Sequence, residues 1–508
     1  MSARAVDIPM RVFASLLVFT ILLVHGALLG MTDDEAYYWF LAQDPGLGFA
    51  FHPPGVVWLI AFFQKMFGWI FGAATPGLAR LPAFICGAGI MWLGLGWVGS
   101  AAGVSGRPRT GIAALVIGAY AGVFAAAWMI VPDLPLFLGW MLLFTASWEV
   151  AKNQKCDAVS FLMLASGAAI AMLSKYSGVI AAGSAGLAIL IWGGSARLHA
   201  LGAIAAGFVL GILPPLAWNI QNDWGSLMYQ LRDRHGGGGF SGVRWLKFWG
   251  SQLLLAGPAL VFFTGALFAK GITGFRYRKG TGARVLFFVL VWMLPHALVF
   301  CVQPAWSDFK PHWAFVVWLP GALYLAFVAA GGAARVWRNV HVAYGLLFGA
   351  LAILMCHVPL LAWFNVSVLG RNFDPRWDVT NDMHGWKGLR LFLDSAEGGR
   401  YRALPVIGSR YQTASQAAFA LGDAVGAHRV SFIPRSAKER AEWPESGVTD
   451  GFGPAWPRLL KPVLFVTDNR YSAPPAFMQA ECGVAKELVA MRWSYEARRI
   501  KLWFCSPS

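Results

Sequence analysis

Three carboxylates follow the first long apolar run of this chain, where packing alone has no need for acidic side chains. Asp33, Asp34 and Glu35 come directly after residues 12–30, and Thr32 precedes them. Acidic groups are costly in hydrocarbon, so a cluster at the mouth of a membrane segment indicates a functional site. The alternative is a capping box, in which Thr32 and Glu35 satisfy the first turn of a helix. The aromatic run and the His-Pro-Pro that follow have no role in capping, which favours function.

The chemistry that these residues could do is the transfer of a group to a hydroxyl. A carboxylate can take the hydroxyl proton as the new bond forms, and cations can hold a phosphate leaving group as charge develops there. Asp34 is the candidate for the first role. Candidates for the second role are His52, Lys175, Lys310 and His312. The rings of Tyr37, Tyr38 and Trp39 could stack on a sugar or line a lipid groove, although packing at the bilayer interface is their commoner use.

The composition is that of a membrane protein with several spans. Of its 508 residues, 57% are hydrophobic and 13% are charged, with a mean hydropathy of +0.55, whereas ordinary soluble domains carry about 25% charged residues. The formal net charge of +16 could suggest nucleic acid as a partner. Most lysines and arginines before the C-terminal region, however, lie in short loops between apolar segments, as orientation signals do. We therefore predict no nucleic-acid partner.

Long apolar windows predict eleven membrane-spanning helices. They cover residues 12–30, 78–99, 110–131, 134–151, 158–173, 177–193, 198–217, 250–269, 285–302, 313–332 and 341–364. A further apolar segment, 54–72, is predicted to lie along the outer membrane surface, because only then do the later basic loops fall on the same side as Arg4. This orientation places the N-terminus in the cytoplasm and the C-terminus outside.

With this orientation, the polar residues that are unusual for loops gather on the outer face. Asp133 lies there in a proline-flanked turn, and Lys175 lies there in a Ser-Lys-Tyr sequence with Tyr176. Snorkelling to the interface is an equally open role for Lys175. Tyr176 and Arg234 are further candidates for contact with the donor phosphate or lipid. Arg234 lies in the outer loop 218–247, ahead of four glycines. Such a loop is either a flexible linker, which is the favoured interpretation, or a gate that moves over a site.

Polar residues return after Phe364, and their pattern predicts a small α/β domain. The predicted strands are 404–408, 429–433 and 463–466, around a helix at 412–421, and 488–504 can form an antiparallel pair. We therefore expect two domains. The first is a membrane domain, 1–364, whose outer loop 31–77 carries the catalytic motif, and the second is a periplasmic domain, 365–508.

Cys482 and Cys505 are the two cysteines of the predicted outer domain. The tail between them is predicted to contain a helix, a strand, a tight turn near residues 495–497 and a returning strand, which brings Cys505 back towards Cys482. An oxidising compartment permits a disulfide between them, and two separate buried thiols are the alternative. The remaining four cysteines lie in spans or in a cytoplasmic loop and are expected to stay reduced.

Several of these motifs together resemble a known family. They are the Asp-Glu pair after the first span, the His-Pro-Pro, the Ser-Lys-Tyr, the Pro-His-Trp at 311–313 and the Arg410-Tyr411-Gln412 sequence. The chain resembles bacterial relatives of protein O-mannosyltransferases and lipid A aminoarabinose transferases, which are polytopic helical membrane glycosyltransferases of the C-type fold. The resemblance covers most of residues 8–430 and is strongest in residues 30–60.

The resemblance implies roles for particular residues. It places the catalytic aspartate on Asp34, with Glu35 beside it and Asp133 near the active site, and it adds Arg410 and Tyr411 as sugar or acceptor contacts. His52 stands where the aminoarabinose enzymes have a lysine that contacts the lipid phosphate, so the charge here depends on pH. That difference disfavours aminoarabinose as the donor sugar and leaves a subgroup similar to lipopolysaccharide galacturonosyltransferases equally open.

The expected activity is sugar transfer from a polyprenyl-phosphate donor to a hydroxyl or phosphate of lipid A or the lipopolysaccharide core, on the periplasmic face of the bacterial inner membrane. A protein acceptor and a lipid-linked sugar transporter or flippase are the alternatives. A transporter would place ionisable residues near the bilayer midplane, whereas here they gather at one surface. No cofactor is expected. A Mg²⁺ or Mn²⁺ ion held by Asp33, Asp34, Glu35 and Asp133 is the alternative.

Overall fold

The computed structural model describes residues 8–103, 110–124, 127–233, 239–273, 281–329, 331–422, 430–432, 462–470, 473–475 and 478–507. In this part of the chain the helices before residue 365 are α1 (Ile8–Leu28), α2 (Asp33–Leu41), α3 (Gly55–Phe71), α4 (Pro76–Ala102), α5 (Thr110–Gly118), α6 (Ala121–Phe124), α7 (Asp133–Asn153), α8 (Ala158–Ser174), α9 (Gly178–Trp192), α10 (Arg197–Gln221), α11 (Gly225–Met228), α12 (Gly242–Leu255), α13 (Pro258–Thr273), α14 (Thr281–Phe300), α15 (Phe315–Val328), α16 (Arg335–His357) and α17 (Leu360–Trp363). The terminal region adds α18 (Lys387–Leu393) and α19 (Tyr411–Leu421).

Within the described ranges, seven helical segments are long and apolar enough to cross a membrane. They are Ile8–Leu28, Pro76–Ala102, Asp133–Asn153, Gly194–Gln221, Gly282–Ala305, Pro311–Val328 and Arg335–His357. The shorter apolar helices α8 and α9 coincide with two more of the predicted windows. The predicted polytopic helical architecture is therefore confirmed, whereas the orientation of the termini stays a prediction.

One predicted span is sharply bent. The helices α12 and α13 qualify as a span only together, and their axes meet at 112°. Between them Gly257 has a φ of +88°, a conformation that residues with a Cβ rarely adopt. The window 250–269 is therefore a broken span or a re-entrant segment instead of a straight helix.

A second predicted span, 110–131, is interrupted between α5 and α6. The backbone at Ala119 lies so close to Gly345 of α16 that a Cβ there would collide with the Ala119 carbonyl. The buried Tyr120 hydroxyl donates to the Phe315 carbonyl at 2.9 Å. Tertiary packing therefore outweighs the helical tendency of this apolar stretch, which periodicity alone could not show.

The segment predicted to lie on the outer surface forms α3. This helix has 17 residues and buries Val56, Val57 and Ile60 on one face, whereas Trp69 on its other side is 83% exposed. At a rise of about 1.5 Å per residue it is roughly 26 Å long, slightly less than the hydrocarbon core of about 30 Å. An interfacial position for α3 stays a prediction.

Close packing at the centre of the bundle fixes α7. A Cβ on Gly139 of α7 would come within 2.7 Å of the Gly167 carbonyl oxygen of α8, so small residues allow these two backbones to meet. Further along α7, the Trp140 ring meets Trp292 edge-on at 4.9 Å between centroids. Asp133 is the first residue of this well-packed helix, which gives its side chain a rigid support.

The terminal domain contains a mixed sheet. Its described strands are β1 (Val406–Gly408), β2 (Val430–Phe432), β3 (Val463–Thr467), β4 (Cys482–Arg492) and β5 (Tyr495–Cys505), in the order β2-β1-β3-β5-β4. The first three strands are parallel, and β5 is antiparallel to both of its neighbours. Every residue of β1 and β3 is buried, as is usual for parallel strands covered on both faces. The structure therefore confirms the α/β fold predicted for this region.

The tail differs in two details from its prediction. The strand β4 begins at Cys482 itself, where a helix was expected first, because pairing with β5 extends over its whole length. The turn falls at residues 493–494 instead of 495–497. In this register Cys482 lies opposite Cys505 with 4.1 Å between their Cα atoms, and a disulfide joins them.

The terminal domain packs directly on the loop 31–77 that carries the carboxylates. Phe419 of α19 meets Trp39 of α2 edge-on at 5.0 Å, and Tyr411 meets Tyr37 at 5.2 Å. The helices α2, α3, α18 and α19 share one hydrophobic core with the sheet. The position of α2 therefore depends on both domains.

Candidate active site

The helix α2 begins with the capping box that the sequence allows. Thr32 Oγ1 accepts a hydrogen bond from the Glu35 backbone N–H at 3.4 Å, and Glu35 Oε2 accepts one from the Thr32 backbone N–H at 3.0 Å. The capping interpretation is correct for these two residues. Asp34 lies on the same turn but takes no part in the box, so capping does not explain its presence.

Glu35, predicted above to be catalytic, is instead held in a buried ion pair with Arg80. Arg80 of α4 donates from Nε to Glu35 Oε1 at 2.7 Å and from Nη2 to Oε2 at 2.6 Å. Both side chains have no exposed surface. The Ile130 backbone N–H also donates to Oε1, at 2.9 Å. No substrate can reach this carboxylate without breaking the pair, so the structure corrects the sequence interpretation of Glu35.

Arg80 is a supporting residue that the sequence analysis missed. Its remaining donor atoms bond the carbonyls of Gly26, Leu29 and Gly30 at 2.5, 3.0 and 2.6 Å. One guanidinium therefore joins the ends of α1, α2 and α4. A signal was available, since an arginine inside a membrane span is rare and faces the bundle interior, and Arg80 lies inside the window 78–99.

Asp34 presents an accessible carboxylate at the start of α2. Its residue is exposed, whereas Asp33 and Glu35 on either side are buried. Desolvation by the surrounding protein raises the pKa of Asp34, and the negative charge of Asp33 raises it further, while Lys310 acts in the opposite direction. A carboxylate in this setting is a stronger base than an ordinary one once it is ionised.

Asp133 lies at the start of α7 and forms an ion pair with Lys175. Lys175 Nζ donates to Asp133 Oδ1 at 2.7 Å, and His312 Nε2 lies 3.8 Å from Oδ2. This contact brings three predicted site residues together from separate parts of the sequence. Because its negative charge is already matched, Asp133 is better suited to orient Lys175 than to accept a proton, which narrows the catalytic role predicted for it.

A cavity of about 380 Å³ opens beside this ion pair. Its mouth is polar and includes His52, Asp133, Lys175, Tyr176, Gln230 and Gln303. Its inner wall is largely apolar and includes Leu136, Phe137, Trp140, Ile180, Val299 and Phe300, together with the buried His296. A cavity with a hydrocarbon-like wall and an ionic mouth suits a ligand with an apolar tail and an anionic head.

Two mouth residues are held in place by hydrogen bonds from the outer loops. The Tyr176 hydroxyl donates to Ser226 Oγ at 3.0 Å and accepts from Asn219 Nδ2 at 3.0 Å. Gln230 Nε2 donates to the Phe51 carbonyl at 2.6 Å. These bonds tie the segment after α10 to the first outer loop. Arg234, predicted to contact the donor phosphate, lies outside the described residues.

The aromatic run divides between buried and contact roles. Tyr38 meets the His52 ring at 5.8 Å between centroids, beside the cavity mouth. Trp39 is 1% exposed and donates from Nε1 to the Ala73 carbonyl at 3.1 Å. Its predicted role as a platform for a sugar is therefore wrong, because its ring faces are used by the core between α2 and α19. Tyr37 is also buried, against Tyr411.

The Arg410-Tyr411 pair reaches the site from the terminal domain. Tyr411 begins α19, and burial together with the charges of Asp34 and Asp33 raises the pKa of its hydroxyl. This places Tyr411 near both aspartates. Arg470, which the sequence analysis did not single out, forms an ion pair with Asp33. No local pattern marks it, because it follows a strand in an ordinary turn.

The four carboxylates considered for a metal ion do not converge. Asp33, Glu35 and Asp133 each have a cationic partner in Arg470, Arg80 and Lys175 respectively. In the part of the chain that the structure describes, no group of three His, Cys, Asp or Glu side chains is arranged to hold a metal ion. The donor set predicted for Mg²⁺ or Mn²⁺ is therefore not assembled by these residues.

Comparison with known proteins agrees with this architecture. No family model matches the chain. The lipid A galacturonosyltransferase RgtD of Rhizobium johnstonii is 24% identical over 356 residues, which are 69% of this chain and 71% of that protein. Crystal structures of ArnT from Cupriavidus metallidurans, apo and bound to undecaprenyl phosphate, align with TM-scores of 0.62 and 0.61 over 98% of this chain and 97% of ArnT.

The two ArnT structures are 15% identical to this chain, so they establish its fold. The chain is an integral membrane protein with the C-type glycosyltransferase fold. Together with the similarity to RgtD, this confirms the family resemblance derived from the sequence. The chain is similar to RgtD in sequence and shares the fold of ArnT.

Proposed function

We propose that this protein transfers a sugar from a polyprenyl-phosphate donor to a hydroxyl or phosphate of lipid A or of the lipopolysaccharide core. The observation that carries the proposal is an apolar cavity with an ionic mouth that includes Asp133, together with the exposed Asp34 carboxylate, on whose pKa the charge of Asp133 acts. The acceptor is suggested by RgtD, a lipid A galacturonosyltransferase, and the donor type by the ArnT complex with undecaprenyl phosphate. Transfer takes place at the outer face of the inner membrane.

The donor lipid fits the cavity by its chemistry. Its hydrocarbon chain lies along the apolar wall, and its phosphate lies at the mouth within reach of Lys175, His52 and His312. Cations at this position stabilise the charge that develops on the phosphate as the sugar leaves. Lys175 is already oriented by Asp133, so its ammonium group is held ready for the phosphate and does not have to be ordered on binding.

In the reaction, the acceptor oxygen attacks the anomeric carbon of the sugar. The bond between that carbon and the phosphate oxygen breaks, the polyprenyl phosphate leaves with the bonding electrons, and the acceptor proton passes to Asp34. Only the ionised carboxylate can take this proton. The rate is therefore expected to fall as the pH falls through the pKa of Asp34, which burial and Asp33 place above the ordinary carboxyl range.

The sugar is the open part of the substrate. A uronic acid is favoured over aminoarabinose, because RgtD is a galacturonosyltransferase and because His52 stands where the aminoarabinose enzymes have a lysine. A transporter is not favoured. The ionisable residues of the site lie at helix ends and in outer loops, whereas a transporter binds its substrate near the bilayer midplane.

The test separates chemistry from binding with two variants of the full chain in detergent. Asp34→Asn should lower turnover by about 10²–10⁴-fold, the usual contribution of a general base, and should bind undecaprenyl phosphate normally. Lys175→Met should instead raise the dissociation constant for undecaprenyl phosphate about tenfold or more, since a charge-assisted contact is lost. Asp44→Asn and Lys65→Met are exposed matched controls and should change neither quantity.

The protein is incubated with lipid A and, in separate reactions, with polyprenyl-phosphate galacturonic acid or polyprenyl-phosphate aminoarabinose. Mass spectrometry of the lipid A then identifies which sugar is transferred. Transfer at the wild-type rate by the Asp34 variant would refute the base assignment. A deletion strain should lack one envelope sugar, and finding that sugar missing from a protein instead of a glycolipid would refute the proposed acceptor.

A further inference from the structure

A chain of ion pairs links the terminal domain to the first residue of α2. The Arg470 guanidinium forms an ion pair with Asp33 and a second, forked pair with Asp468. Asp468 also accepts from Arg498 Nη1 at 3.2 Å, and Arg498 Nη2 donates to Asp382 Oδ1 at 2.7 Å. Asp33 and Arg470 are 437 residues apart in sequence. The ion pair is therefore a contact between domains.

Gln416 makes a second connection at the same point. Its side-chain amide donates to the Met31 carbonyl at 2.8 Å, to Asp33 Oδ1 at 3.1 Å and to the Asp382 carbonyl at 3.1 Å. Gln416 is 1% exposed and Asp33 is 6% exposed. Both oxygens of the Asp33 carboxylate are thus bonded to the terminal domain in a largely water-free setting, where such bonds are geometrically specific.

Helix geometry separates this carboxylate from its neighbour. Successive residues of an α-helix point about 100° apart, so Asp33 and Asp34 do not face each other although they are adjacent in sequence. Asp33 faces the terminal domain, whereas Asp34 is left exposed. Because both residues belong to one helical turn, the contacts that hold Asp33 in place also fix the direction of the Asp34 side chain.

The same contact changes the charge that Asp34 experiences. Several ionisable groups act on Asp34 from the elements around it: Asp33 and Glu35 of its own helix, Lys310, and Asp133 of α7. Tyr411 of α19 also couples to both aspartates. Asp33 is the largest charged contributor, and it raises the pKa of Asp34. Arg470 lies directly against Asp33 and opposes that negative charge.

We propose that Arg470 is a positioning residue of the transfer reaction, through which the terminal domain fixes the first turn of α2 and neutralises the carboxylate next to the catalytic base. The catalytic part of this proposal rests on the function proposed above. It assigns the terminal domain a direct part in the chemistry, at a residue that does not touch the substrate.

The test measures the protonation of Asp34 without using activity. Dicyclohexylcarbodiimide reacts with protonated carboxyl groups, and peptide mapping by mass spectrometry identifies which residue is modified. Labelling of the purified full-length protein across a pH series gives a midpoint for Asp34. Asp382, whose pKa is raised to about 6 chiefly by desolvation and then by Asp33, is read separately in the same map.

Removing the charge of Arg470 and removing the charge of Asp33 should move the Asp34 midpoint in opposite directions. Arg470→Met leaves the Asp33 charge unopposed, so the midpoint should rise by about one pH unit. Asp33→Asn removes the charge that raises the pKa of Asp34 most and keeps the Arg470 guanidinium, so the midpoint should fall. The double variant removes both charges and should return close to wild type. A purely structural role predicts no such reversal, and equal or absent shifts in the two single variants would overturn the proposal.

Two further variants keep the test decisive. Arg470→Lys keeps the charge and should restore the midpoint in large part. Arg499→Met is the matched control, since Arg499 pairs with Glu487 and Glu496 on the same sheet. The Asp34 midpoint should not move in this variant. If Arg470→Met does not fold, Asp33→Asn and the double variant still differ in the predicted direction. Failure of sugar transfer with the midpoint pattern intact would reject the proposed function alone.

Discussion

The buried pair of Glu35 and Arg80 is the feature whose removal should be most damaging outside the cavity. Replacing Arg80 by Met keeps the volume of the side chain but removes every donor atom. Glu35 then remains as a buried carboxylate without a cation, and the carbonyls of Gly26, Leu29 and Gly30 lose their partner. The variant Arg80→Met therefore tests both the ion pair and the junction of three helices.

The magnitude follows from the burial of both charges. Removing one partner of a buried ion pair costs about 3–5 kcal/mol, because the remaining charge is uncompensated. Unfolding entropy is about 2.1 cal/mol/K per residue, so a cooperative unit of about 350 residues would lose roughly 4–7 °C in Tm. The double variant Glu35→Gln with Arg80→Met removes the isolated charge and should lose less stability than Arg80→Met alone. Its loss should therefore be smaller than the sum of the losses in the two single variants.

Thermal unfolding in detergent, followed by the loss of monodisperse protein, measures this effect. Arg11→Met is the matched control, because Arg11 donates to the Trp92 carbonyl at 2.9 Å and has no carboxylate partner among the described residues. It should lose less stability than Arg80→Met. Sugar transfer should fall in both Arg80→Met and Glu35→Gln. A double variant as unstable as the sum of the two single variants would refute the reasoning.

Two other expectations can be checked in the same protein. Replacing Cys482 and Cys505 by Ser should lower the free energy of unfolding of the terminal domain by about 3 kcal/mol, since the bridge closes a loop with a sequence separation of 23; non-reducing mass mapping that finds both thiols free in the native protein would contradict this. A reporter active only outside the cytoplasm should be inactive when fused after Gln154 and active when fused after Pro507, and the reverse pattern would refute the predicted orientation.

The parts of the fold that follow from local patterns could be predicted from the sequence. Hydropathy located the membrane helices, and strand patterns located the sheet of the terminal domain. The windows that differ do so because of tertiary contacts. Gly257 allows a 112° bend, and the close approach of Gly345 accompanies the break after α5. Hydropathy averages over such positions and cannot detect them.

The candidate site was only partly predictable for a related reason. The residue types and the grouping of His52, Asp133 and Lys175 could be inferred, because loop charges predict that these residues share one face of the membrane. Partner choice could not be inferred. Glu35 and Asp34 are both acidic residues of one helical turn, and only the structure shows that the first is matched by Arg80 while the second remains accessible.

The distribution of cations among the carboxylates is the physical basis of this site. Asp33, Glu35 and Asp133 each hold a cation, and through these pairs they fix the terminal domain, α4 and Lys175 respectively. Asp34 has no such ion pair among the described residues, and it is the carboxylate of α2 that is exposed. A buried charge without a partner is costly, so the fold can keep an unpaired base only at a position open to solvent and substrate. The neighbouring pairs keep Asp34 at that position, and they do so without consuming its capacity to accept a proton.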